Sequence, residues 1–291
     1  MQLDRTRITI RERGIFEIYD LALRVIHGHA GAILGYWLIG AGVFTLLNTW
    51  LLAGRWSPPT EGTLQGDYYW QLCLLLIWEL PLATAPLTLY LGKTLFLEHP
   101  TPGQVMRSLA DRAAQLFVIH ILMRGLFYFC SVWAYVARAD EGAVIFFGFF
   151  AVLVTAACYF FWPYANEVLL LEANPLRRKK GRTSTIARIL SLHGYASGEV
   201  IARSFFALIV GSMLLVSFCV ALEQLYVKAM LAAEVDTWLQ MVCVQLAFWL
   251  TAGFFTVVRF LSYLDIRIRI EGWEIELLLK AEGERIARQL A

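Results

Sequence analysis

Two ionisable side chains stand well inside apolar runs, Glu79 within residues 69–92 and Arg124 within residues 114–137. A charge at bilayer depth is costly, so each calls for a partner or a purpose. Each lies about ten residues from one end of its run, which at about 1.5 Å per residue puts both near the middle of a bilayer. They are natural partners, and the expectation is a buried, hydrogen-bonded Glu79–Arg124 pair that fixes helix packing ahead of any role in transport. His120 precedes Arg124 by four residues and so shares its helical face. Glu79, His120 and Arg124 then form a polar stripe. A histidine titrates near neutral pH and could relay protons there, but a hydrogen bond to a neighbouring helix is the more economical reading.

Other polar groups invite blander readings. Glu167, just past Trp162-Pro163-Tyr164, is read as a shallow interfacial residue that reaches water. Pro81, Pro86 and Pro163 are expected to kink two spans and open polar gaps, which neighbouring groups must fill. The run Arg177-Arg178-Lys179-Lys180 would attract anionic lipid headgroups by about 1 kcal/mol per basic residue. A topogenic loop needs the same run. The five cysteines lie in apolar runs without disulfide or zinc spacing, as small buried hydrophobes do. No His-Glu-x-x-His, Gly-x-Ser-x-Gly, Walker-type or dinucleotide-binding glycine pattern occurs. The expectation is therefore a chain that is not an enzyme, with no catalytic residues, cofactor, metal site or nucleic-acid partner.

The elements that must hold these residues follow from composition. The 291 residues are 59% hydrophobic and 16% charged, with a mean hydropathy of +0.60. That excludes disorder and makes a water-soluble enzyme a poor reading. Six segments reach the roughly 20 apolar residues that a spanning helix needs: 31–53, 69–92, 114–137, 143–169, 204–226 and 237–261. The expected fold is all-α, a polytopic membrane protein of six helices in three hairpins. Residues 1–29 form an N-terminal segment, 30–262 the membrane domain and 263–291 a C-terminal segment. Of the 25 Lys and Arg, 21 fall on one set of connecting segments, which by the positive-inside rule places both termini in the cytoplasm of an inner membrane. No apolar core of signal-peptide length precedes the first span, so the N-terminus is expected to be retained. Ile15, Ile18, Tyr19, Ala22, Val25 and Ile26 share one helical face, which predicts an amphipathic helix lying along the membrane or capping the bundle. Gly31 and Gly35 form a small-xxx-small pair that marks close packing, within the bundle before between copies.

The C-terminal exit alternates polar and apolar residues: Tyr263, Asp265, Arg267, Arg269 and Glu271, with Leu264, Ile266, Ile268 and Ile270 between them. Period two suits a strand, yet no partner strand is evident, and Arg267 with Glu271 is an i,i+4 pair. A helix leaving the membrane and loosened at Gly272 is the preferred reading, with the charged groups bonding at the interface. The string Tyr263-x-Asp265-x-Arg267-x-Arg269-x-Glu271-Gly272 resembles the closing signature of a bacterial group of six-helix membrane proteins, similar to the membrane domain attached to some glycerophosphoryl diester phosphodiesterases. Ile270 stands where that group commonly has a basic residue. The N-terminal stretch from Phe16 to Leu23 resembles the group too. The resemblance implies the fold but no catalytic residue, because the diesterase activity belongs to a separate soluble barrel. The reading is a scaffold or subunit that organises partner proteins or lipid. The alternative is a small transporter or permease subunit using Glu79, His120 and Arg124.

Overall fold

The computed structural model describes residues 13–52, 66–95, 100–137, 140–176, 183–230 and 237–272. Every regular element among them is helical. In chain order these are α1 (Ile15–Gly28), α2 (Ala30–Leu52), α3 (Gly66–Leu95), α4 (Pro102–Leu116), a π-helical turn (Phe117–Met123), α5 (Leu126–Val136), α6 (Glu141–Phe161), the single turn α7 (Ala165–Glu167), a second π-helical turn (Val168–Glu172), α8 (Thr185–Tyr195), α9 (Ser197–Met230) and α10 (Thr237–Glu271). Five helices, α2, α3, α6, α9 and α10, are long and apolar enough to cross a membrane. Counting the bent pair of α4 with its π turn and α5 as one span makes six. The protein is an all-α polytopic membrane protein.

The most extensive packing joins consecutive helices, α2 to α3, α5 to α6 and α9 to α10, as three hairpins require. The hub is α3, with 72% of its most apolar stretch buried, whereas none of that of α9 is. Such an apolar surface is unstable in water and at home in lipid. The α1 helix buries Ile18 and Ala22 and packs against α10 and α2. Trp37 in α2 donates its indole N–H to the Trp249 carbonyl of α10 at 2.7 Å.

Two expected spans are broken. The third is not one rod from 114 to 137: α4 begins at Pro102 behind a capping box of Thr101 and Gln104, and the chain bends by 65° between the first π turn and α5. The fourth ends at Phe161, because Pro163 has no N–H and excludes α geometry from Trp162, which adopts φ −128° and ψ 45°. Beyond it, α7 and the second π turn run to Glu172. Conversely, α9 and α10 extend past their expected ends, and α10 passes residue 263 without a break until Gly272, where φ is +65°.

Glycines decide where helices touch. A Cβ on Gly40 would overlap the Ala83 carbonyl, so only glycine lets α2 approach α3 there. Gly40→Ala is expected to force the two helices apart and to replace the monodisperse detergent-solubilised peak with aggregate on size-exclusion chromatography. Gly42→Ala, whose Cβ meets nothing within 4 Å, leaves that peak unchanged. A Cβ on Gly31 or Gly35 also meets nothing within 4 Å, so among the described residues the close packing expected of them within the bundle is absent.

Candidate functional site

The polar stripe resolves into separate attachments. Glu79 does not pair with Arg124; its Oε2 accepts from Asn48 Nδ2 of α2 at 2.9 Å, with both side chains buried. Arg124 instead donates from Nη2 to the Ile77 carbonyl at 2.9 Å. That carbonyl needs a donor because Pro81, four residues on, has no N–H to offer it. The expected proline gap is therefore real, and the expected partner of Glu79 fills it.

The exchange is reciprocal. In the π turn the Arg124 N–H reaches back to Ile119 O and the Gly125 N–H to Ile121 O, so the helical ladder passes over the His120 carbonyl. Trp78, the residue after Ile77, donates its indole N–H to it at 3.2 Å. Each of the two elements, α3 and the first π turn, satisfies the other's freed backbone group, which hydrocarbon cannot do. Gly125 permits the approach, since a Cβ there would overlap Trp78 Nε1.

The His120 side chain is buried beside Asn166 and within electrostatic reach of Arg124 and Arg259. Among the described residues its ring nitrogens find no well-formed hydrogen bond, and neither do Asn166 Oδ1, Glu167 Oε2, Arg259 Nη2 and Arg124 Nε. Asn166 Nδ2 does donate to the Pro81 carbonyl at 3.0 Å. Glu167 is not the interfacial residue expected. It is fully buried, and its Oε1 accepts from Arg259 Nε at 2.6 Å. The break after α6 turns it inward. From sequence, Arg259 reads only as the first cation past an apolar run, and nothing in its spacing points to Glu167, 92 residues earlier.

The C-terminal signature forms the densest polar site. Two residues turn a helix by about 200°, so period-two alternation within a helix sends successive polar residues to nearly opposite sides. Tyr263, Arg267 and Glu271 face the second π turn and α8. There the Tyr263 hydroxyl donates to Glu172 at 2.7 Å, Arg188 Nε donates to Glu172 at 2.8 Å and Arg188 also pairs with Glu271. Asp265 and Arg269 face α9. Asp265 Oδ2 accepts from Arg203 at 2.6 Å and from Arg269 at 2.8 Å, and Glu199 pairs with both arginines. Asp265 Oδ1 also accepts the Arg13 backbone N–H at 2.9 Å, while Arg203 donates to the Arg13 carbonyl. The helical reading of this string holds, and its charges bind helices to one another. Burial alone would lower the Arg188 pKa, but its bonds to Glu172 and Glu271 outweigh that and raise it, so it stays a cation.

Arg177, Arg178, Lys179 and Lys180, the expected headgroup residues, lie outside the described residues. A cleft of about 600 Å³ between α2 and α3 is lined by His29, Gly35, Tyr36, Tyr90 and Thr94 among others, and by none of Glu79, His120 and Arg124. Among the described residues no group of three or more His, Cys, Asp or Glu is placed to hold a metal ion.

The Asn48–Glu79 contact gives a sharp expectation. Glu79→Leu strands the Asn48 amide and Asn48→Leu strands the carboxyl, each costing about 1–3 kcal/mol. The double variant removes both groups and melts close to the wild type in detergent. Comparison with family models, with curated proteins and with solved structures finds no match for this chain.

Proposed function

We propose that this chain is a non-enzymatic integral protein of a bacterial inner membrane, with both termini cytoplasmic and α1 lying as an amphipathic helix along the inner surface. It acts as a scaffold or subunit that organises partner proteins or lipid. The observation that carries this reading is the use of the charged residues: Arg124, Glu167, Arg203, Arg259 and Asp265 are each bonded to another helix. Groups held this way set a shape. The apolar flanks of α6 and α9, with Phe149, Leu153, Leu208 and Met213 exposed, offer lateral surface to lipid or to a partner. The sorting of Lys and Arg supports the orientation, and the C-terminal resemblance supports the bacterial assignment. Affinity purification in mild detergent is expected to return a reproducible companion protein or a fixed complement of lipid, and purification of a bare chain would overturn the scaffold.

One observation favours a small transporter or permease subunit instead. The unsatisfied atoms of His120, Asn166, Glu167 and Arg259 sit together where two helices are broken, an arrangement that suits a water-lined path. With the five native cysteines replaced, single cysteines at Leu76, Leu80 and Ile121 separate the readings. A sealed scaffold leaves them unlabelled by a membrane-impermeant maleimide, whereas a path to the bilayer middle exposes them.

A further inference from the structure

A second cleft, of about 300 Å³, opens where the C-terminal ends of α3 and α10 meet α4 and the second π turn. Leu89, Leu171, Phe260 and Leu264 give it an apolar wall. Lys93, Arg112 and Arg267 line the same cleft, against one carboxylate among the described residues, Asp111, which is exposed on α4. Arg267 is bonded to Glu271 at 2.9 Å. Lys93 and Arg112 differ from it, because among the described residues neither makes an ion pair, although both are half-buried. A partly desolvated cation without a counter-charge is costly, and two of them lining one cleft form a site short of negative charge.

The three elements each have a local reason to be there. Lys93 lies in the last turn of α3, where a cation suits the helix dipole. Arg112 lies on α4, whose start is set by the Thr101 capping box. Gly92 brings α3 against the second π turn, since a Cβ there would overlap Leu171. The cleft thus presents cations at the end of a spanning helix and hydrocarbon alongside it. That is the profile of an amphiphile with an anionic head.

We propose that this cleft binds a phosphate group, with Lys93 and Arg112 as its cations and the apolar wall receiving the acyl chains of a phospholipid that carries it. The guanidinium of Arg112 can hold two phosphate oxygens at once, and Lys93 supplies a point charge. Free phosphate offers the same oxygens without the chains. The proposal goes beyond the scaffold reading, which requires no defined headgroup site and stands or falls on its own companion experiment.

The test uses the full chain, delipidated in detergent and titrated by native mass spectrometry with phosphatidylglycerol, with diacylglycerol and with inorganic phosphate as competitor. Wild type is expected to retain phosphatidylglycerol and not diacylglycerol. The Lys93→Gln/Arg112→Gln variant should bind phosphatidylglycerol at least about tenfold more weakly, as loss of two headgroup-directed cations implies. Arg24→Gln removes an equally basic but exposed side chain and should bind as wild type does. Competition by inorganic phosphate identifies the phosphate oxygens as sufficient, and its absence beside tight phosphatidylglycerol binding shows that the chains contribute; both support the site. Equal retention by wild type and double variant, or equal retention of diacylglycerol and phosphatidylglycerol, overturns it. Should the double variant not fold, Arg112→Gln alone and the two-lipid comparison on wild type decide.

Discussion

Asp265→Ala is expected to abolish accumulation of folded protein. The Asp265 carboxylate is buried and accepts from two arginines and from the Arg13 backbone. Its removal leaves Arg203, itself buried, with Glu199 as its one remaining acidic partner among the described residues. Breaking a buried pair by deleting one partner costs about 3–5 kcal/mol, a large part of the roughly 5–15 kcal/mol that holds a typical domain together. The loss extends beyond one contact, since Asp265 also anchors the strand of chain that enters α1. Fluorescence-detected size-exclusion chromatography should show the monodisperse peak lost in Asp265→Ala. Arg203→Met/Asp265→Leu should recover part of it, because it buries no stranded charge at that pair. A double variant worse than either single one would mean that the two residues act independently.

The second large effect concerns the crossing of α3 with the end of the first π turn. Arg124→Met leaves the Ile77 carbonyl without its side-chain donor, at a cost of about 1–3 kcal/mol. Pro81→Ala restores a backbone N–H four residues on and allows the ladder of α3 to close on that same carbonyl. Pro81→Ala/Arg124→Met is therefore expected to melt well above the sum of the two single losses. Exchanging charges between Glu79 and Arg124 is expected to rescue nothing, because Asn48 and the Ile77 carbonyl are their partners. A rescue by charge exchange would place the two side chains in contact and refute this assignment.

The prolines announced freed carbonyls, and one of them is indeed filled from another helix. Opposite charge makes Glu79 the obvious partner for Arg124, and the sequence names no residue to fill the gap, yet it is Arg124 that fills it. Inside a bundle an unpaired carbonyl competes for a guanidinium, and proximity decides the outcome. Asn48 gave little warning, being one polar residue in an apolar run. In the sequence Glu167 stands near the end of an apolar run that stops at residue 169, which points to the interface. Pro163 ends α6, and Glu167, in the turn α7 that follows, meets Arg259.

By itself the sequence determined the class, the approximate helices and the helical state of the final signature. These depend on the length of apolar runs and on i,i+4 spacing, both properties of neighbours along one chain. Only the tertiary structure decided that Tyr263, Arg267 and Glu271 serve one flank of α10 while Asp265 and Arg269 serve the other, and that α3 and the first π turn satisfy each other's freed carbonyls. Those bonds link residues tens to hundreds of positions apart. Their energy depends on distance, burial and direction, and these exist only once the helices have packed.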